Sequence, residues 1–436
     1  MSGITDKLAF VEKPTSVAAR NYTHSCLPVN GSTFKAGEIV RVDVPCGQFG
    51  TYLDTQNSYA KFTINNLSNV TTTGTNATTT SHEIEIDGTG YSFIDRQQVL
   101  YSGYTLEDIT DYGLLASILL DNNTDMESRM TYWNMLAGAH PHAFYAETCR
   151  QGDKIEGDGS LTVYLPLVGS VVGQNIDKYL PIGQMTASDS LRVEWTLAQA
   201  GVPILAAGDT DTGEFSISNV EIVASIVKLS DDAEGMVRKA SGGVYRIHGD
   251  SYRSYNQTLN AGVNNSTINI PAKVSSLKTL LIAHRYQNSI SARSSASVTN
   301  RTQADLKEYY FQVGSTRLPQ KPIRCDDKHC AEAQVELQKS LHQFGKRGLA
   351  LAYVSSQWTE SAVDLTKNGA FAIGMDCEAF SGKGDVLNQG ISTISQPLFF
   401  NGVYDSLKEA CVVTTFAHFD QIIEIDSQTG MAKVMF

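Results

Sequence analysis

Several short stretches carry residue types that could do chemistry. In "GAHPHAFYAE", His140, His142 and Glu147 follow the spacing H-x-H-x4-E. Two imidazoles and a carboxylate so spaced suit zinc, iron or manganese. In "CDDKHC", Cys325, His329 and Cys330 bring two thiols and an imidazole together. "FAIGMDCEAF" sets Asp376 and Glu378 on one face of a strand, where paired carboxylates could do acid–base work. "FAHFDQIIEID" offers His418 beside Asp420. Each has a plainer reading. Pro141 between the two histidines speaks against a central strand, so this stretch is expected to be a loop before "LTVYLPL". No C-x2-C or distant ligand pair accompanies Cys325, His329 and Cys330, which places them at a helix start. Asp376 and Glu378 are expected on an exposed strand face, and His418 and Asp420 as strand residues without a nucleophile at hand. There is no G-x-S-x-G elbow, phosphate loop or dinucleotide fingerprint. No catalytic residue, cofactor or resident metal is expected, and the chain is not expected to be an enzyme.

The elements that would position these residues are mostly strands. Period-two alternation recurs: Val40, Val42 and Val44 in "VRVDVP", Ile84 and Ile86 in "HEIEIDG", Leu161, Val163 and Leu165 in "LTVYLPL", and Leu191, Val193, Trp195 and Leu197 in "LRVEWTLA". These are half-buried strands around a shared core. Helical signals are few. "DYGLLASILLDN" is one, and "AEAQVELQKSLHQF" is another, with Leu337, Leu341 and Phe344 on one face and Asp326 and Asp327 before its positive end. The order of elements repeats. Each half opens with an alternating strand ending in proline ("VRVDVPCG", "STINIPAK"), has a helix near its middle, and closes with a long apolar strand ("NVEIVASIVKL", "VVTTFAHFDQIIEID"). Many short strands with turn signals between them indicate sandwiches or barrels. The expected fold is all-β, mainly β with a few short helices, as two tandem jelly-roll β-barrels. The expected division is an N-terminal arm over 1–36, a first barrel over 37–230, a linker over 231–243 and a second barrel over 244–436. The polar stretches 65–83 and 283–305 are expected as exposed loops.

Composition narrows the function further. The chain has 436 residues and a formal net charge of −12, and no block of Lys and Arg. That argues against direct, sequence-specific nucleic-acid binding. The longest apolar run, "LLASILL", is far short of the roughly 20 residues of a membrane span. The start of the chain lacks the pattern of a secretory signal. Seven scattered cysteines fit reduced thiols better than a disulfide framework. Nineteen tyrosines, many near loops (Tyr91, Tyr101, Tyr104, Tyr252, Tyr255, Tyr309, Tyr310), suit subunit interfaces.

Motifs through both halves resemble one family. "GEIVRVDVPCGQFGTYLDTQNSYAKFTINN", "SLTVYLPLVG", "YLPIGQMTASDSLRVEWTLA", "YYFQVGSTRLPQKPI", "GAFAIGMDCEAF" and "VVTTFAHFDQIIEID" are similar, in this order, to strands of the double jelly-roll major capsid proteins of tailless icosahedral DNA viruses. Within that lineage the sequence looks most like the virophage-like and Polinton-like capsid proteins. The resemblance implies a homotrimeric, pseudo-hexameric capsomer that tiles an icosahedral capsid beside penton and minor capsid or cement proteins. It also implies a place in the virion after synthesis in the host cytoplasm. Two alternatives stand beside it. His140, His142 and Glu147 are similar to the first metal motif of cupins, which would make a bicupin-like metal enzyme. The second cupin motif is incomplete, because after Pro181 and Gly183 it is Thr186 that stands where a histidine belongs. The Tyr-, Asn- and Thr-rich loops would also suit a carbohydrate-binding jelly-roll module.

Overall fold

The structure is a computed structural model. It describes residues 19–71, 79–139, 153–206, 214–290, 296–326, 329–344, 351–359, 369–379 and 389–436. The first half contributes β1 (Ala19–Cys26), β2 (Thr33–Lys35), β3 (Ile39–Pro45), β4 (Thr51–Asn66), β5 (Asn69–Thr71), β6 (Thr79–Ser81), β7 (Ile84–Ile86), β8 (Ile94–Tyr101), β9 (Tyr104–Thr110), β10 (Lys154–Ile155), β11 (Ser160–Pro166), β12 (Ser190–Leu197), β13 (Ile204–Ala206) and β14 (Phe215–Leu229). The second half contributes β15 (Val244–Leu259), β16 (Asn265–Ile270), β17 (Leu277–Tyr286), β18 (Leu306–Val313), β19 (Thr316–Arg324), β20 (Ile373–Asp376), β21 (Leu398–Tyr404), β22 (Cys411–Asp426) and β23 (Ala432–Met435).

These strands form two sandwiches of the same topology. In the first, β1-β14-β4-β11 faces β3-β12-β8-β9; in the second, β15-β22-β17-β20 faces β16-β21-β18-β19. Counting only these main strands along each half, both sandwiches read first-eighth-third-sixth over second-seventh-fourth-fifth. That is the order of a jelly roll. The proline-ending strands β3 and β16 hold equivalent places, as do the long closing strands β14 and β22.

Local sequence explains the strands. In β12 the buried residues are Leu191, Val193, Trp195 and Leu197. On its outer face Arg192 forks onto Asp43 at 2.8 and 3.1 Å, and Arg41 meets Glu194 at 2.9 Å. Such cross-strand ion pairs each contribute at most about 1 kcal/mol; burial of the inner face dominates. Trp195 is fully buried, and its indole N–H donates to Gln97 Oε1 at 3.1 Å, so its polar atom is satisfied. The helix Tyr112–Asn123 is buried on nearly every side and lies where "DYGLLASILLDN" places it.

Five expectations change in detail. Within the expected linker 231–243, Asp231–Ser241 is a helix. Ser230 caps its start, acidic residues fill its first turn, Arg238 and Lys239 its last, and Gly242 takes the left-handed turn at its end. Within 1–36, β1 and β2 both pair with β14 and so belong to a sheet. The second helix stops at Ser340, and Phe344 lies beyond it, exposed, because the backbone turns left-handed at His342. In the stretch 283–305, Ser297, Arg301, Gln303 and Ala304 are fully buried rather than exposed. The expected loop at 65–83 includes the small ribbon β5-β6.

Candidate functional site

A buried loop must find partners for its backbone groups. The segment 296–304 finds them across the seam between the two barrels. Asp87, fully buried in the first half, accepts from the backbone N–H of Ser297 and Val298 at 2.6 Å each and of Thr299 at 3.3 Å. It also accepts from the Thr299 hydroxyl. Burial pushes its carboxyl pKa up, against the pull of these hydrogen bonds. Two residues on, Arg301 reaches back to Asp121 in the first-half helix and donates to Ser117 Oγ at 3.1 Å. Arg129 approaches the same carboxylate at 2.9 Å. All three charges are fully buried. Neighbouring Asn122 accepts from Tyr353 Oη at 2.7 Å.

Further along the seam, buried Glu107 accepts from Ser170 N–H at 2.8 Å and from the Ser251 hydroxyl at 2.6 Å. Here too burial raises the carboxyl pKa. Gln421 donates to the Leu106 carbonyl at 2.9 Å, and Tyr101 to the Gly430 carbonyl at 2.7 Å. Arg285 holds Asp111 at 3.1 Å. The loop at 175–177 bonds to the edge of β15: Asp250 N–H donates to Asn175 O at 2.8 Å and Asp177 N–H to His248 O at 3.1 Å. A Cβ on Gly249 would lie 2.8 Å from Asn175 O, so this approach requires glycine. Apolar packing is continuous across the seam: Tyr245, Ile247, Leu281, Phe416 and Ile423 belong to the same core as Val193 and Phe62.

Beside this contact lies a cluster of charged groups. Asp250 on β15 stands directly opposite Asp420 on β22. Two carboxylates so placed repel. A bulge at the start of β17, between Leu277 and Thr279, turns Lys278 toward them. Its ammonium lies 2.9 Å from Asp250, 3.4 Å from Glu378 and 3.8 Å from Asp420. His248 meets Asp420 at 2.9 Å, His418 meets Asp250 at 3.6 Å and stacks on Tyr252, and His342 meets Glu378 at 3.3 Å. Nearby carboxylates, Asp250 first, hold the Lys278 pKa up against burial. Among the described residues, only His248, Asp250 and Asp420 gather three ligand-type atoms within 4.8 Å of one another. Lys278 already supplies a cation there, so the trio forms part of an ion-pair cluster.

The residues singled out in the sequence are placed differently. His140, His142 and Glu147 lie outside the described residues. Cys325 is buried, while His329 is half exposed and pairs with Asp326 at 2.5 Å. Cys325, His329 and Cys330 do not converge on one point. Glu378 is not on an exposed face, since its side chain is 3% exposed and turned to Lys278. His418 and Asp420 do not pair with each other; each bonds across the sheet to β15, because alternate residues on one strand stand about 7 Å apart. Of the seven tyrosines named in the sequence, Tyr91, Tyr101, Tyr252 and Tyr309 are core residues, and Tyr104 is well exposed. The seam residues Asp87, Glu107, Asp121, Arg129 and Arg301 carried no motif. The two H-x-D pairs, His248–Asp250 and His418–Asp420, were visible in the sequence, but not their register.

No protein-family model matches the sequence, and no curated protein matches it. Solved structures do. VP54 of PBCV-1, fitted into a reconstruction of the virophage Sputnik, matches at a TM-score of 0.60 and 9% identity, over 98% of each chain. The Faustovirus major capsid protein matches at 0.61 and 10% identity, over 97% of this chain and 92% of that one. The mavirus major capsid protein matches at 0.52 and 11% identity, over 100% and 94%. The chain has, over nearly its whole length, the double jelly-roll fold of these viral major capsid proteins.

Proposed function

We propose that this chain is a viral major capsid protein whose work is assembly rather than catalysis. The observation that supports this most is end-to-end similarity of both barrels to capsid proteins. In this reading three chains form a homotrimeric capsomer. Six barrels of one topology then approximate a hexagon, which tiles an icosahedral shell around a DNA genome. Closed rotational symmetry keeps such a unit from growing into fibres. The barrels are 37–230, completed by β1 and β2 of 1–36 in the sheet of β14, and 244–436, joined through 231–243. Partners are neighbouring capsomers and, at vertices and seams, penton and minor capsid or cement proteins. The charge of −12 suits a shell that leaves the genome to other proteins. No helix among the described residues is long and apolar enough to cross a membrane. The protein would be made in the host cytoplasm and reside in the virion. Light scattering on the purified chain tests the capsomer. A particle of about 142 kDa, three times the 47.4 kDa chain, is expected. A monomer that persists at high concentration contradicts the proposal.

A further inference from the structure

We infer that His248 is a proton-operated latch on the seam, closed when its imidazole is charged and loosened when it is neutral. The geometry carries this. The backbone of His248 is part of the contact itself: its carbonyl accepts from Asp177 N–H at 3.1 Å, and its N–H donates to Asp177 Oδ1 at 3.2 Å. Its ring bonds to Asp420, a carboxylate 2% exposed. The groups that face it come from every element packed there. They are Asp250 on its own strand, Asp420 and His418 on β22, Lys278 on β17, Glu378 after β20 with His342 behind it, and Asp177 in the docking loop. With His248 neutral, Asp420 has only Lys278, 3.8 Å away and shared with Asp250 and Glu378. With His248 charged, Asp420 has a cation of its own at 2.9 Å.

The direction in pH follows. The hydrogen bond that its ring donates to Asp420 raises the His248 pKa above its usual value, against burial. A histidine raised on folding stabilises most below its unfolded value, near 6.5, and that contribution fades as pH rises through the folded value. Asp250, held low despite burial by His418 and Lys278, keeps its charge down to acid pH. The latch is therefore tight in mild acid and loosens as pH rises through the raised folded value. It does not depend on whether the chain assembles.

Amide hydrogen exchange on the full chain tests it, read as protection factors from pH 5.5 to 8.5. Peptides covering 175–177 and 248–250 are expected to lose about tenfold in protection, the loss expected of one hydrogen bond to a charged group. The 297–299 peptide, held by Asp87 on the same seam, serves as the internal control and is expected to change by less than about twofold. In H248Q the pH dependence of the first two peptides is expected to vanish. If it persists in H248Q, or if all three peptides move together in the wild type, the inference is overturned. D420N gives an independent check: the midpoint of the loss should move toward acid, and an unmoved midpoint counts against the latch.

Discussion

Replacing Asp121 by alanine probes the seam most sharply. Its carboxylate sits between Arg301 and Arg129, and all three side chains are fully buried. Removing the one acid leaves two guanidinium groups facing each other without solvent. Breaking a buried ion pair from one side costs about 3–5 kcal/mol. For a unit of some 200 residues, each kcal/mol moves Tm by about 2–4 °C. D121A should therefore melt roughly 6–20 °C below the wild type. Calorimetry at one scan rate and one protein concentration reads this, since assembly itself shifts Tm. A second variant separates charge from packing. Replacing Asp121, Arg129 and Arg301 together by Leu, Met and Met removes the charges and keeps most of the volume, and should recover much of the loss. A D121A variant within about 2 °C of the wild type would refute the claim that this triad holds the barrels together.

Other outcomes follow from the same structure. D87A orphans three backbone N–H groups of 297–299, so that peptide should exchange faster and be cut sooner by protease than in the wild type, with a stability loss of about 2–4 kcal/mol. Burial pushes the thiols of Cys26 and Cys46 up to about 11 and those of Cys377 and Cys411 up to about 12. These four stay protonated at pH 8 and should resist a disulfide reagent until the chain is unfolded; fast labelling of any of them in the native protein contradicts that placement. Elemental analysis of purified protein should find no stoichiometric zinc, iron or manganese, and one equivalent of any would bring back His140, His142 and Glu147, or Cys325, His329 and Cys330, as ligands.

The barrels were legible because alternation is a local signal. Val40, Val42 and Val44, or Leu191 to Leu197, declare their buried face within a few residues, and the repeat of opening and closing strands declared the duplication. The seam was not legible because its residues act at a distance. Asp87 meets Thr299, and Glu107 meets Ser251, across more than a hundred positions. A stretch such as 296–304, rich in Ser, Thr and Asn, reads as a solvated loop until a buried carboxylate is seen to collect its N–H groups. Glu378 reads as an exposed acid until the bulge at Lys278 supplies its partner. Asp231–Ser241 shows the converse: caps and dipole-matched charges were all present in the sequence, but its small residues and the glycines that follow it resembled a linker.

Electron microscopy of the purified protein, alone and concentrated, tests the central proposal most directly. Threefold particles with six barrels in a hexagonal outline, or closed shells built of them, are expected. Single two-barrel particles at every concentration, with neither trimers nor shells, would contradict it.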